Sequence, residues 1–457
     1  MNRAVVDTRV PLSAVTGIVW PAIASDHGAL LLALQQQFEE SQWWSPQMLL
    51  DAQRMQLGLL LQHANASVPW QAERLRASGY VAGVAMSLDD FRRLPITTRR
   101  DLQTHFEAMV SLHPVASHGT GRDQYTSGST GTPVKVRTND LKQVYWHALT
   151  LRDHLWHSRR LEGKFVAIRI SGEEGTHSNW GYSAGAVFGT GPGVQLGVHA
   201  DLDAQCRLLV AERPDYLLSY PSNLSALARH TLERGIDFSF LTGVLTFGES
   251  LSDALREELR TAWQVELTDM YSAQELGCIA LQCPDTDCYH VQSECVLVEV
   301  LDDDGIPCRP GETGRVVVTD LHNFEMPLLR YEIGDYATIG EPCRCGRGLP
   351  VLKSIVGRVR NMLILPDGRR RFPRIGAKSL ASIGCIRQYQ FAQIAPTRIE
   401  ARLVVDRPLD ATEEAQLRSV VHGRLGYPYD VSLRYCEALD RGPSGKFEDF
   451  RCEIASS

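Results

Sequence analysis

The apolar positions in the first third of the chain recur at helical spacing. Residues 30–60 carry leucines, methionines and Phe38 at such intervals and predict two helices that divide near Ser45-Pro46. Residues 140–157 show the same spacing and predict another helix. This part of the chain is therefore expected to be helical.

The pattern changes between residues 165 and 263, where short apolar runs alternate with amphipathic segments. The runs that predict buried strands are 165–170, 216–220 and 243–247. The segments that predict helices are 202–212, 224–233 and 255–263. Strands that alternate with helices are typical of an α/β layered fold.

From Val296 onward the chain is richer in strand patterns. Runs at 296–301, 314–319 and 327–331 predict a β-rich subdomain. Strands at 399–405 and 431–435 flank a helix at 413–425 and predict a separate α+β unit. We expect a large N-terminal α/β domain over residues 1–357, with the β-rich subdomain inside it, and a small C-terminal domain over 358–457.

Size and charge exclude several classes of function. A chain of 457 residues is long enough for two or more domains, and its net charge of −7 gives no electrostatic reason for nucleic-acid binding. No apolar stretch reaches the length of a membrane span, and residues 10–24 lack the uninterrupted apolar core of a signal peptide. The cytoplasm is the default location, with no nucleic-acid or membrane partner.

Eleven cysteines in a chain of this length argue against a disulfide framework, because the number is odd. Five lie between Cys278 and Cys308, and a pair follows later. Three thiolates and one imidazole are a typical ligand set of a closed structural zinc site. The predicted zinc ligands are Cys283, His290, Cys343 and Cys345. The remaining candidates are Cys278, Cys288 and Cys295, which are either rival ligands or small buried hydrophobes.

The segment from Tyr125 to Lys135 interleaves small hydroxyl residues with glycines and can fold around a phosphate. Its glycines are too close together for the G-x-x-x-x-G-K-[ST] loop. The expected phosphate-binding residues are Ser127, Gly128, Ser129, Thr130 and Gly131. Lys135 is either an added cation or an exposed lysine, and the alternative for the whole segment is an ordinary Ser/Gly surface loop.

Six motifs in this order resemble those of the adenylate-forming enzymes, which include acyl-CoA synthetases, peptide-synthetase adenylation domains and luciferase. The motifs lie at 125–135, 247–250, 269–275, 331–335, 357–364 and 442–447. Cys283-Pro284, His290 and the segment 342–347 are most similar to the phenylacetate–CoA ligase and CapK-like branch. The sequence departs from the usual motifs at Ser272, Gln274 and Arg360-Asn361.

The resemblance implies an AMP-forming carboxylate ligase that uses ATP and Mg²⁺ and carries a structural zinc. The implied nucleotide-binding residues are Ser127, Gly128, Ser129, Thr130, Gly131, Gly248, Glu249, Ser250, Asp269, Met270, Tyr271, Ser272, Asp335 and Arg358. Asp335 would bind the ribose and Tyr271 would stack on adenine, unless they are a turn aspartate and a core tyrosine. Arg358 would reach the ribose or a phosphate, unless it forms a surface salt bridge.

Two residues are implied to be catalytic. Glu275 would help to bind Mg²⁺, and its alternative role is that of a glutamate at a helix N-terminus. Lys446 would stabilise charge at the α-phosphate when a mobile small domain closes, and its alternative role is that of a turn lysine. Rotation about residues near Arg360 would then exchange one face of the small domain for another.

The acid substrate is expected in a pocket of aromatic and small residues, which suits a compact, aryl acid. The residues assigned to this pocket are Trp180, Tyr182, Tyr220, Pro221, Phe247 and Gly248, although several of these aromatics fit a core role equally. The acceptor is coenzyme A, or an amine, amino acid or other nitrogen nucleophile. The non-catalytic alternative is a nucleotide-binding scaffold. The partners are small molecules, and a homodimer is possible.

Overall fold

The structure is a computed structural model that describes residues 10–125, 134–170, 172–358, 362–367, 370–371, 373, 380, 383–439 and 449–454. The helices are α1 (Asp26–Ser41), α2 (Pro46–Ser67), α3 (Pro69–Ala77), α4 (Leu88–Phe91), α5 (Arg99–Met109), α6 (Asp140–Trp156), α7 (Leu202–Glu212), α8 (Pro221–Arg234), α9 (Asp253–Trp263) and α10 (Ala411–Leu425). Among these helices, none combines the length and apolarity that a membrane span requires.

The strands in the first half are β1 (Arg122–Tyr125), β2 (Lys135–Thr138), β3 (Phe165–Arg169), β4 (Gly175–His177), β5 (Gly193–Gly197), β6 (Tyr216–Ser219), β7 (Gly243–Phe247), β8 (Leu267–Ala273), β9 (Gly277–Gln282) and β10 (Tyr289–Val291). Those in the second half are β11 (Val296–Leu301), β12 (Thr313–Asp320), β13 (Tyr331–Ile339), β14 (Val351–Arg358), β15 (Leu363–Ile364), β16 (Arg370–Arg371), β17 (Ile386–Ala395), β18 (Arg398–Val405), β19 (Asp430–Tyr435) and β20 (Phe450–Cys452). The predicted α/β order is confirmed.

One predicted strand begins later than expected. The sequence pattern predicted strand at 327–331, but β13 starts at Tyr331 because Arg330 adopts a left-handed backbone with φ of 47°. The buried guanidinium of Arg330 pairs with Glu299 at 3.0 Å and also donates to the carbonyls of Arg92 and Leu94. These interactions hold a backbone conformation that a strand does not allow.

A single mixed sheet of twelve strands forms the large part of the molecule, in the order β11-β12-β13-β14-β10-β9-β8-β7-β6-β3-β5-β4. Strands β5, β3, β6, β7 and β8 are parallel to their neighbours in that series, and β9 joins β8 in antiparallel fashion. The predicted β-rich subdomain is therefore the antiparallel half of the same sheet, because β8 is hydrogen-bonded on both edges.

Helices cover the parallel half of this sheet on both faces. Val166 and Leu217 pack into a core with Leu227 and Leu259, which lie on α8 and α9. Helix α6 contributes Leu151 to a second core that extends under the antiparallel half. The last part of the chain forms its own sheet, in the order β19-β18-β17-β20, which packs on α10.

Candidate functional site

The loop after β7 is fixed to the start of α8. Gly248 takes φ of 77°, which turns the chain sharply after Phe247. The Glu249 carboxylate accepts hydrogen bonds from the Ser222 amide at 2.9 Å and the Ser222 hydroxyl at 3.0 Å. An acceptor at a helix N-terminus is favourable, so this contact sets the position of the loop.

Two of the predicted nucleotide-binding residues come together across the sheet. The hydroxyl of Tyr271 on β8 donates to Oδ2 of Asp335 on β13 at 3.0 Å. Four strand spacings separate β8 from β13, which is about 19 Å in a flat sheet. The antiparallel half must therefore curl over, and register shifts in the β13–β14 and β8–β9 pairings accompany this curvature.

Ser250 and Gly357 bring the next two motifs into contact. A Cβ built on Gly357 would lie 2.7 Å from the Ser250 hydroxyl oxygen, so the approach requires a glycine. The neighbouring residue Arg358 pairs with Asp335 in the β13–β14 register. The predicted motifs at 247–250, 331–335 and 357–358 thus share one region.

Glu275 lies in the turn between β8 and β9, and not at a helix N-terminus. Its Oε1 is 3.9 Å from the Arg99 guanidinium at the start of α5, and the Glu275 side chain is 12 % exposed. The ammonium group of Lys142 on α6 donates to the Leu276 carbonyl and to the buried Asp320 carboxylate. Lys142 therefore ties this turn to the core.

Asp269 faces the interior of the sheet. Its Oδ2 accepts a 2.7 Å hydrogen bond from the Tyr289 hydroxyl, and its side chain is buried. Burial raises the pKa of Asp269 to about 7, although the Tyr289 bond acts in the opposite direction. Met270 and Ser272 point to the opposite face of β8 and are half-buried. The interior position and the Tyr289 bond give the Asp269 carboxylate a core role.

The predicted phosphate-binding residues 127–131 lie outside the described residues, and so does Lys446. The flanking hairpin of β1 and β2 is described, with Tyr125 paired to Lys135. The Lys135 ammonium lies 2.8 Å from Asp123 and 4.1 Å above the Phe106 ring. Hydrogen bonding from Arg137, more than from Lys135, lowers the pKa of Asp123 to about 2. Lys135 is thus anchored within the hairpin.

The aromatic residues predicted for the acid pocket separate into three places. Tyr220 and Phe247 meet at the carboxyl ends of β6 and β7, with ring centroids 5.0 Å apart, and Pro221 begins α8 beside them. Trp180 packs 5.5 Å from Tyr216, at the amino end of β6. Four residues of strand separate the two ends, which is about 13 Å.

Tyr182 stacks on His147 of α6, with ring centroids 5.9 Å apart, and is 76 % exposed. The structure therefore brings Tyr220, Pro221 and Phe247 together but not Trp180. The sequence missed Arg169, a charged residue that ends the otherwise apolar run of β3 beside Tyr220. The sequence signal that could have identified it is an arginine at the end of the otherwise apolar strand Phe165–Arg169.

The cysteine cluster assembles around His290. Ligand atoms of Cys283, Cys288, His290 and Cys343 all lie within 4.8 Å of one another. The Cys345 sulfur is 3.3 Å from Nε2 of His290. His290 is fully buried, and its Nδ1 has no partner within the described part of the chain. A set of thiolates and one buried imidazole fits the donors that zinc prefers.

Among the three rival cysteines, only Cys288 joins this cluster. Cys278 and Cys295 are buried in the apolar core under the sheet and act as small hydrophobes. Cys288 lies 3.6 Å from Cys343, which gives five candidate ligands for four tetrahedral positions. Its position two residues before His290 is a sequence feature that could have distinguished it from the other two.

Parts of this chain are similar to known proteins. Residues 123–326 match the family model described as AMP-binding enzyme. The phenylacetate–coenzyme A ligase of Thermus thermophilus is 27% identical over 334 residues, which cover 68% of this chain and 71% of that protein. The corresponding ligase of Escherichia coli is 26% identical over 336 residues, with 68% and 72% coverage.

A solved structure is similar over most of the chain. A 2-hydroxyisobutyryl-CoA ligase, bound to an acyl-AMP in the postadenylation state, has a TM-score of 0.72 at 17% identity. The match covers 88% of this chain and 89% of that one. At this level of identity the similarity concerns the fold.

Proposed function

Because this chain belongs to the adenylate-forming enzymes and is phenylacetate–CoA ligase-like, we propose that it joins a compact, aryl carboxylic acid to coenzyme A in an AMP-forming reaction. The observation that carries the proposal is the 3.0 Å contact between Tyr271 and Asp335. It places an aromatic ring from the carboxyl-terminal half of β8 beside a carboxylate on β13. Open α/β sheets bind their ligands at the carboxyl ends of parallel strands such as β8.

The nucleotide would bind along this contact. The carboxylate of Asp335 offers acceptors to the paired ribose hydroxyls, while the Tyr271 ring packs against the base. Gly248, Glu249 and Ser250 form the adjacent wall. The amides and hydroxyls of residues 127–131 would hold the β- and γ-phosphates, with Arg358 close to the ribose.

The first half-reaction forms the acyl-adenylate. A carboxylate oxygen of the acid attacks the α-phosphorus, and the bond from that phosphorus to the pyrophosphate oxygen breaks. The electron pair leaves with pyrophosphate. Lys446 would place its positive charge where negative charge develops in this step. Glu275 offers an oxygen ligand of the kind that Mg²⁺ prefers, and the ion would neutralise phosphate charge.

The second half-reaction transfers the acyl group. The sulfur of coenzyme A attacks the carbonyl carbon, the carbon–oxygen bond to AMP breaks, and the thiol proton is released to solvent. The small domain over residues 358–457 would rotate about a hinge near Arg360 between the two steps. We place the protein in the cytoplasm, where ATP and coenzyme A are available.

A structural zinc completes the proposal. It would be held by His290 and three thiolates from Cys283, Cys343 and Cys345, with Cys288 as a competing ligand. When bound, zinc would cross-link the β9–β10 turn to the loop before β14 and would leave no open position for catalysis.

The test is acid-dependent release of pyrophosphate. Purified protein is incubated with ATP, Mg²⁺ and a panel of aryl and aliphatic acids, and the products with coenzyme A, amino acids or nitrite are identified by mass. We expect pyrophosphate release with at least one aryl acid and a thioester with coenzyme A. Asp335→Asn serves as the inactive control.

Two results would change the proposal. An amide or another nitrogen product in place of the thioester would reassign the acceptor. No acid-dependent pyrophosphate across the panel, in protein that still binds ATP, would favour a non-catalytic nucleotide-binding homologue.

A further inference from the structure

Arg169 brings a positive charge to the carboxyl end of β3, where its guanidinium contacts the neutral side chain of Gln195. Its Nε and Nη2 donate to the Gln195 side-chain oxygen at 3.0 and 2.7 Å. Within the described part of the chain, no carboxylate lies within ion-pair distance of its guanidinium. Burial lowers the pKa of Arg169, as expected for a cation with little access to water.

The orientation of Arg169 is fixed by its surroundings. Gln195 is 8% exposed and lies against the backbone of Gly172, where a Cβ would meet the Gln195 amide nitrogen at 2.1 Å. The amide therefore has little room to move. Gln195 holds two of the guanidinium N–H groups. In a planar guanidinium, the N–H groups of Nη1 and the second one of Nη2 then point away from Gln195, and we call them the outward fork.

This fork stands beside the predicted acid pocket. Ala167 pairs with Leu218 in the β3–β6 register, so Arg169 and Tyr220, two residues further along, share one face of the sheet. The Tyr220 hydroxyl accepts a 3.4 Å hydrogen bond from the amide of Ile170, directly after Arg169. Arg169 thus extends the row that Tyr220 and Phe247 begin.

The topology identifies the same place. The chain leaves β3 toward β5 on one side and leaves β6 through α8 toward β7 on the other. Strands β3 and β6 are adjacent, so the connections diverge between them. Open α/β sheets bind ligands outside the carboxyl ends of the strands at such a switch point.

Two glutamates in this region, Glu249 and Glu174, contact other groups than Arg169. Glu249 accepts from the amide and the hydroxyl of Ser222. Glu174 lies over Gly197, where a Cβ would meet its Oε1 at 2.6 Å. Neither forms an ion pair with Arg169. Among the described residues, neither glutamate is available to the outward fork, and a substrate group is the source of negative charge that we consider next.

We infer that the acid substrate carries a second carboxylate, remote from the one that reacts, and that the outward fork of Arg169 binds it. The inference rests on the proposed function. Guanidinium and carboxylate groups match in a bidentate geometry that a lysine does not reproduce. Arg169 is accordingly a specificity residue, and the substrate class is a compact dicarboxylic acid.

The distance between the strands explains why the reacting carboxylate is not the group at Arg169. Tyr271 on β8 marks the nucleotide side, and three strand spacings, about 14 Å, separate β8 from β3. An aryl ring with carboxylates at opposite ends, together with the reach of the arginine side chain, fits such a span. A monocarboxylic acid at the nucleotide would leave Arg169 unpaired.

The experiment compares matched acids with and without the second carboxylate. The pairs are phenylacetate with 4-carboxyphenylacetate, benzoate with terephthalate, and hexanoate with adipate, each assayed by pyrophosphate release. The wild-type protein is expected to favour the diacid in at least one pair. Arg169→Met should lower kcat/KM for that diacid by about 100-fold, since it leaves a buried carboxylate without its partner. It should leave the monoacid unchanged.

Two further variants serve as controls for a general loss of structure. Arg169→Lys keeps the charge and should restore only part of the diacid activity, because the fork is lost. Arg160→Met removes a cation near the amino end of β3, where Arg160 is paired with Asp215 at 3.6 Å and is 70% exposed. It should match the wild type with both members of each pair.

The possible results separate the inference from the proposed function. A wild-type preference for the monoacid in every pair, or an equal loss of both members in Arg169→Met, would overturn the inference while turnover of monoacids upholds the ligase function. No pyrophosphate release with any of the acids would contradict both.

Discussion

The Tyr271 hydroxyl donates a 3.0 Å hydrogen bond to Oδ2 of Asp335 and so joins the parallel and antiparallel halves of the sheet. The two residues are 64 positions apart in the chain. Their contact fixes an aromatic ring relative to a carboxylate, which preorganises the surface proposed for the nucleoside.

Loss of this bond should weaken ATP binding. Tyr271→Phe keeps the ring but removes a hydrogen bond to a charged acceptor, which is worth about 1.5–3 kcal/mol. We expect the KM for ATP in pyrophosphate exchange to rise about 10-fold, with a smaller change in kcat. Tyr80→Phe makes the same chemical change elsewhere and should have no effect. An unchanged KM in Tyr271→Phe would separate this contact from nucleotide binding.

The buried Asp269 should make stability depend on pH. Burial raises the pKa of Asp269 from its ordinary value of 3.8 to about 7, so between these pH values the folded state binds more protons than the unfolded state. The contribution of Asp269 to stability is therefore lost as pH rises from about 4 to 7, by about 4 kcal/mol in total. Below about pH 4 the Asp269 carboxyl group is protonated in both states, so it does not lower the free energy of unfolding.

Asp269→Asn removes the titration. Relative to wild type, its free energy of unfolding should increase between pH 4 and pH 7 and stay constant at higher pH. Denaturant unfolding at a series of pH values provides the measurement. Asp237→Asn, at an exposed site, should not show the increase. A stability difference independent of pH would contradict the protonated state of Asp269.

Lys142 is expected to support Glu275 through the β8–β9 turn. Removing Lys142 alone would leave the buried Asp320 unpaired, at a cost of about 3–5 kcal/mol. The double variant Lys142→Met/Asp320→Leu avoids this charge and should still fold. We expect the Mg²⁺ concentration for half-maximal activity to increase about 10-fold, because Lys142 no longer holds the turn that positions Glu275, the proposed Mg²⁺ ligand.

A matched control separates this effect from a general loss of charge. Lys164→Met removes a lysine directly before β3, which pairs with Glu212 at 2.8 Å and lies outside the β8–β9 turn. Its Mg²⁺ dependence should equal that of the wild type. If the double variant also keeps the wild-type dependence, Lys142 has no role in positioning Glu275.

The zinc proposal is tested by metal content. Because Cys288 can replace one lost thiolate, the double variant Cys288→Ser/Cys343→Ser is needed. It should lower bound zinc from one equivalent to near zero and lower the melting temperature, since a structural site adds its binding energy to folding. Cys308→Ser, at a half-buried cysteine outside the cluster, should retain one equivalent. Absence of zinc in wild-type protein purified without chelator would remove the proposal.

Local periodicity was sufficient for most of the fold. The helix over 202–212 and the strand over 243–247 were predicted with the bounds that the structure has. The start of β13 was missed, because the left-handed Arg330 depends on Glu299, a partner 31 residues away. Long-range ion pairs of this kind leave no periodic signal.

The site could be predicted less completely than the fold. Motif order identified Tyr271 and Asp335, but their contact depends on the curvature of the sheet. Asp269 shares the motif with Tyr271, yet its interior partner Tyr289 could not be recognised from spacing. Trp180 was grouped with Tyr220 by composition, although the two lie at opposite ends of the strands.

The oxygen atoms of the acid provide the most direct test of the central claim, that this protein activates a carboxylate as an acyl-adenylate. An acid labelled with ¹⁸O in its carboxylate is turned over with ATP and coenzyme A, and the nucleotide is analysed by mass. We predict one ¹⁸O atom in AMP, because the attacking carboxylate oxygen stays on phosphorus when the acyl group leaves. Label in inorganic phosphate, with ADP as the nucleotide product, would contradict the account.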